Sequence, residues 1–161
     1  KVDTPRREAI MRHHTATHLL HQTLRDLFGT QLTQAGSLVA PDRLRFDFTH
    51  SAALTREERQ KIEDAINHRV ISDIPVRACS MSKDQAMKAG ALMLFGEKYE
   101  ETVRAVMISP HDCSRAHEAW SLELCGGTHV PSTGHVGFFK ILGQSSVSAG
   151  VRRLEAVAGQ R

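Results

Sequence analysis

Two short motifs, more than a hundred residues apart, do most to limit how this chain can fold. The first, RHHTATHLLH at residues 12–21, sets His14 and His18 four positions apart in a helix-compatible segment. Residues i and i+4 share one helix face, so both imidazoles can reach a single metal ion. The second, LCGGTH at residues 124–129, brackets Gly126, Gly127 and Thr128 with Cys125 and His129. Three imidazoles and one thiolate suit zinc. Either motif alone has an ordinary explanation, as a surface histidine pair or a core cysteine. Together they call for a fold that brings a helix near one end against a glycine turn near the other, glycine being the residue that tolerates such a turn.

At 161 residues the chain is long enough to bury a core without staples, and one compact unit spanning residues 1–161 is expected. Its 40% hydrophobic content fits a soluble globular protein, and no apolar run approaches the roughly 18 residues that a membrane span needs. The start, KVDTPRREAI, carries no apolar signal segment. A cytoplasmic setting is expected, in which three reduced cysteines favour metal over disulfide. A net charge of +3 and a pI near 9.0 permit an anionic partner without establishing one. With one tyrosine and one tryptophan there is no platform for stacking several bases, so RNA contact should rest on phosphates and weaken with salt.

Along residues 6–28, Ile10, Leu20, Leu24, Leu27 and Phe28 recur at helical spacing and Gly29 is a natural stop. His21 lies one turn beyond His18 and reads as solvated rather than as a partner of the ligands. In RLRFDF the residues Leu44, Phe46 and Phe48 alternate with Arg43, Arg45 and Asp47, a half-buried strand that GSLVA can join as a hairpin across Pro41-Asp42. Gln31, Gln34 and Ser37 read as loop polarity near the helix end. Thr55 with Glu58 opens a second helix striped by Ile62, Ile66 and Val70, and Ser82 with Gln85 opens a short one ending near Gly90. VRACSMS, TVRAVMI and SLEL have strand character, with Cys79 a buried small hydrophobe. HVGFFKIL and VRRLEAVA read as two further strands joined by a small-residue loop, GQSSVSAG. Arg152 and Arg153, adjacent on a strand, point to opposite faces. Glu97 and Lys98 form a turn pair that either faces a ligand or is merely exposed. The order of elements argues for an α+β domain with a largely antiparallel sheet and helices packed on it.

Cys113 and His117 repeat the Cys-x3-His spacing and are a rival ligand pair. The pair Cys125 and His129 is preferred because its turn succeeds the rigid edge of SLEL, whereas the rival lies in a polar loop. Zinc can lower the pKa of a bound water to about 7 or polarise a carbonyl, which promotes ester hydrolysis, but four protein ligands make a closed site whose default role is structural. A zinc-protease reading lacks its general base, since Thr15, Ala16 and Thr17 stand where a glutamate would be. No carboxylate lies within either pair. Thr15, Thr128 and Gln31 are left as groups that could position water or substrate, with Cys125 acting as ligand or near the substrate.

The segments HTATHLLH, QAGSLV, RFDFTH, LFGEKY, ELCGGTHV and AGVRRLEAV, spread over almost the whole chain, together resemble the editing domain of alanyl-tRNA synthetase. Related modules occur in free-standing trans-editing proteins and in threonyl-tRNA synthetase. The resemblance implies hydrolysis of seryl and glycyl esters wrongly attached to alanine tRNA, acting on its 3′ acceptor end. It also implies a zinc site on His14, His18, Cys125 and His129, and a pocket role for Gln31. Thr15, Gln31 and Ser37 become candidates for reading the serine hydroxyl, with Thr128 and Lys98 near the substrate. No ATP-binding apparatus is visible, so an excised core of a longer synthetase is expected. Alternatives are a zinc-braced tRNA-binding module without catalysis, with RNA on Lys98, Lys140 and the arginines; a free-standing trans-editing protein; and a zinc hydrolase of small esters.

Overall fold

The computed structural model describes residues 1–94 and 98–159. Helix α1 (Thr4–Phe28) begins where the Asp3 side chain accepts a hydrogen bond from Arg6 N–H, with Pro5 in the first turn, where its missing N–H costs nothing. It ends at Gly29, whose φ of 107° suits glycine and whose N–H reaches Arg25 O at 2.9 Å. Strands β1 (Gln34–Val39) and β2 (Leu44–Thr49) form the expected hairpin. Helix α2 (Arg56–Ile71) and the short α3 (Lys83–Lys88) both carry the expected capping boxes, Thr55 with Glu58 and Ser82 with Gln85. Between them runs β3 (Val76–Ser82), and after them come β4 (Thr102–Ile108) and β5 (Ser121–Leu124). The chain finishes in β6 (Phe139–Ser148) and β7 (Val151–Ala158).

The α+β, antiparallel reading holds, but the strands divide into two sheets, ordered β1-β2-β7-β6 and β3-β4-β5. The larger core lies between α1, α2 and the four-stranded sheet. There Leu20, Phe46, Phe48, Ile62, Phe139 and Leu154 are fully buried, each contributing about 1.5–3 kcal/mol of burial free energy. The smaller sheet has two buried faces. Period-two alternation on β4 sends Val106 and Ile108 into this core and Val103, Ala105 and Met107 into a second one with Cys79, Leu122 and Leu124. Helix α1 is therefore enclosed over most of its middle, with every residue from 15 to 21 buried.

Three expectations are corrected. GQSSVS belongs to β6, which continues through bulges after Ile141 and Ser146 before turning at Gly150. Exposed along this half, the strand shows no hydrophobic alternation to mark it. His135 and Val136 lie in a 3₁₀ turn rather than a strand. Cys79 and Cys113 form a disulfide with a Cα–Cα distance of 5.6 Å, so neither is a free thiol. Glu97 lies outside the described residues.

Candidate metal centre

Helix α1 and the glycine turn after β5 meet at the boundary of the two sheets. From α1, His14 and His18 project one turn apart. Cys125 and His129 approach from the turn, and all four donor atoms lie within 4.8 Å of one another. Cys125 Sγ is 3.4 Å from His14 Nε2 and 3.4 Å from His129 Nε2. Donors around a tetrahedral zinc stand about 3.4–3.8 Å apart, given bonds of about 2.0–2.3 Å. His18 Nε2 is buried with no hydrogen-bond partner, an orphan that a metal would satisfy. The turn must be glycine here: a Cβ on Gly127 would sit 2.1 Å from His14 Cε1. Arg104 holds the turn from β4, donating to Cys125 O and Gly127 O at 2.6 and 2.9 Å. The donor set, the orphaned nitrogen and the shaped turn all fit a metal ion.

Three of these candidate ligands have partners behind them. Thr15, fully buried, has its hydroxyl 3.0 Å from His129 Nδ1 and accepts from Val130 N–H at 3.2 Å. Gly127 N–H points to Cys125 Sγ at 3.4 Å. Behind His18 stands Glu123, with Oε2 3.0 Å from His18 Nδ1 and Oε1 3.0 Å from His21 Nδ1. His21 is thus buried rather than solvated, and a carboxylate does support the site. Sequence reading passed over Glu123 because its alternation with Leu122 and Leu124 resembles an ordinary half-exposed strand, whereas both faces of β5 are covered.

Electrostatics reflect this enclosure. Burial alone would raise the Cys125 thiol, but His129, His14 and His18 around it bring its pKa down to about 3. Burial lowers His129 to about 4, with the charges of His18 and His14 adding to it against the pull of Cys125. His18 is raised to about 10, because the Glu123 carboxylate and Cys125 outweigh the burial that opposes its charge. The pocket without metal therefore holds a thiolate, a neutral His129 and a protonated His18, whose Nε2 proton must leave when a metal binds.

The other sequence candidates are dispersed. Gln31 is exposed and donates to Phe28 O at 2.8 Å, capping its own helix about 15 Å along α1 from His18. Ser37 is exposed on β1 and accepts from Gln34 Nε2 at 3.3 Å. Thr128 is exposed at the glycine turn, where it shares a shallow groove with Arg6 and Arg7. Lys98 is exposed, and Lys140 pairs with Glu63 at 2.7 Å. Cys113 is taken by its disulfide, and His117 faces Glu118 at 3.4 Å, so the rival ligand pair does not assemble. A cavity of about 510 Å³ adjoins the metal pocket, sharing Glu123 and His21 as wall, with Thr33, Gln34, Met93 and Leu94 around it.

Comparison with known proteins identifies what these motifs belong to. Residues 103–155, which contain β5 and the glycine turn, match the threonyl and alanyl tRNA synthetase second additional domain. The alanine–tRNA ligase of Pelotomaculum thermopropionicum is 54% identical over 160 residues, which cover 99% of this chain and 17% of that protein. This chain belongs to the alanine–tRNA ligase family. The enzyme of Roseiflexus sp. is 51% identical over 174 residues, covering 98% of the chain and 19% of the relative. That of Thermotoga maritima is 51% identical over 159 residues, covering 99% and 17%. The chain thus spans less than a fifth of the length of these curated alanine–tRNA ligases. No helix among the described residues is long and apolar enough to cross a membrane.

Proposed function

We propose that residues 1–161 are the editing domain of a longer alanyl-tRNA synthetase, cytoplasmic and working beside the remainder of that chain. It removes serine and glycine wrongly esterified to the 3′ end of tRNA(Ala) and spares alanine. The observation that carries this reading is the convergence of four donor atoms beside a cavity of mixed polarity. An activation pocket built for a methyl side chain cannot strongly reject glycine or serine, so a second, hydrolytic site has to supply the discrimination.

Zinc suits the three-imidazole, one-thiolate donor set, with His14, His18, Cys125 and His129 holding it. When bound, it supplies Lewis-acid polarisation. The chain's own residues do the rest. Thr15 fixes the ring of His129, Glu123 keeps the Nδ1 proton on His18, and Cys125 stands ready as thiolate at neutral pH. Recognition of the serine hydroxyl needs a polar group that alanine would leave unpaired. Thr15 is engaged by His129 and Val130, Gln31 caps its helix, and Ser37 is exposed on β1. Gln34 lines the cavity, and we assign it that role. Arg6, Arg7 and Thr128, which share a groove, and the exposed Lys98 would meet phosphates of the acceptor end, so that binding weakens with salt.

One observation favours a second reading. Four donors fill a tetrahedral ion, the usual mark of a structural site. In that case zinc braces an RNA-docking module. Deacylation assays on the zinc-loaded chain separate the two. Turnover of seryl-tRNA(Ala) well above the uncatalysed rate, with alanyl-tRNA(Ala) left intact, supports editing; tRNA binding with seryl-tRNA decaying at the uncatalysed rate supports bracing alone.

A further inference from the structure

Glu123 is a buried carboxylate beside the four donors that is not itself one of them. Its backbone is fixed on both sides, paired with Val106 of β4 and bridged to Leu92, so the side chain has one place to stand. There its two oxygens are divided between two residues of the same helix, Oε2 on His18 Nδ1 and Oε1 on His21 Nδ1, each at 3.0 Å. His18 and His21 are three positions apart, so both present the same face of α1 to β5. A buried carboxylate needs compensating partners, and these two imidazoles are its ion-pair partners among the described residues, each at 3.0 Å.

The division has a consequence for each imidazole. With Glu123 beside Nδ1, Nε2 is the nitrogen that gives up its proton to a metal, in the pocket where Cys125, His14 and His129 converge. His21 is not one of the four donors. By occupying the second oxygen it stops the carboxylate turning away from His18, and its ring is itself seated at 5.2 Å from that of Phe46 in the larger core.

We propose that Glu123 is a positioning residue that sets the tautomer and direction of His18, and that His21 is the latch holding Glu123 in place. The inference rests on the metal-pocket reading above and is tested without catalysis. Zinc affinity of the full chain is measured by competition with a chromophoric chelator for wild type, E123Q, E123A and H21A. The hydrogen bond made by His18 Nδ1–H in the zinc-loaded proteins is read from its proton and nitrogen-15 NMR shifts. Loss of a partner behind a ligating histidine weakens metal binding about 10- to 100-fold, and E123A is expected in that range. E123Q keeps one acceptor oxygen for His18 and should fall between E123A and wild type, with the Nδ1–H tautomer of His18 retained; it also serves if E123A does not fold. H21A should weaken binding less than E123A. E123A or E123Q with wild-type zinc affinity, or an unchanged His18 Nδ1–H shift in folded E123A, overturns the proposal. A wild-type chain that takes up no zinc overturns both this and the metal-pocket reading, whereas a wild type that binds zinc without deacylating leaves the positioning role standing.

Discussion

A methyl group on Gly127 would meet His14 at 2.1 Å, and the obstacle is the ring of a ligand rather than a pliable surface chain. Gly127→Ala should therefore lower zinc affinity by pushing His14 aside, with an overpacking cost of about 1–3 kcal/mol in stability; equilibrium unfolding and chelator competition check the two effects separately. Cys125, held as thiolate down to about pH 3 in the metal-free pocket, should be alkylated by iodoacetamide at a nearly constant rate between pH 5 and 8, and zinc should protect it. A rate rising tenfold per unit through pH 8 would mean an ordinary thiol. At this scale the sequence made the four converging donors legible, because the residue types and spacing that a metal site requires are set together. It hid Glu123 and His21, because a buried charge pair between distant segments leaves no local pattern, and it gave no reason to single out Gln34, which lines the cavity.

The elements themselves were the most legible level. Capping boxes are local chemistry, and both stand where Thr55-x-x-Glu58 and Ser82-x-x-Gln85 put them. Thr55→Ala should cost about 1 kcal/mol, measured by urea unfolding, without touching zinc affinity. Strand β2 is joined to β7 by more than its ladder: Asp47 accepts two hydrogen bonds from Arg153, at 2.8 and 2.9 Å, directly across the register. Those bonds, more than the opposing effect of burial, hold the Asp47 carboxyl below its ordinary value. A depressed carboxylate contributes stability in full above its unfolded pKa of about 3.9 and loses it as pH falls through the lower folded value. Asp47→Asn should accordingly be less stable near neutrality and show a shallower loss of stability below about pH 4. The far half of β6 escaped notice because its backbone pairs with β7 while most of its side chains are polar or exposed, so hydrogen bonding rather than hydrophobic alternation makes it a strand.

On the scale of the whole molecule, the division into two sheets was not legible, since nothing in a strand's own sequence says which neighbour it will take. The disulfide was hidden for a related reason: Cys79 and Cys113, 34 positions apart, become neighbours only once the polar loop folds back over β3. Closing a loop of that length restricts the unfolded chain by up to about 4 kcal/mol, so reductant should lower the denaturation midpoint and raise the count of reactive thiols from one to three. Cys113→Ala should leave zinc affinity unchanged. Zinc at about a hundredfold excess over its dissociation constant should add about 2.7 kcal/mol, visible as a rise in melting temperature.

His14 and Cys125 stand 111 positions apart along the chain. On the ribosome, the imidazoles of the first helix wait while both hairpin strands, the second helix and the smaller sheet are synthesised, and only then does the sulfur that completes their set emerge. On the proposed metal-pocket reading, the full donor set therefore exists only once the chain has passed the smaller sheet, and zinc taken up earlier would be held by the two helix imidazoles alone.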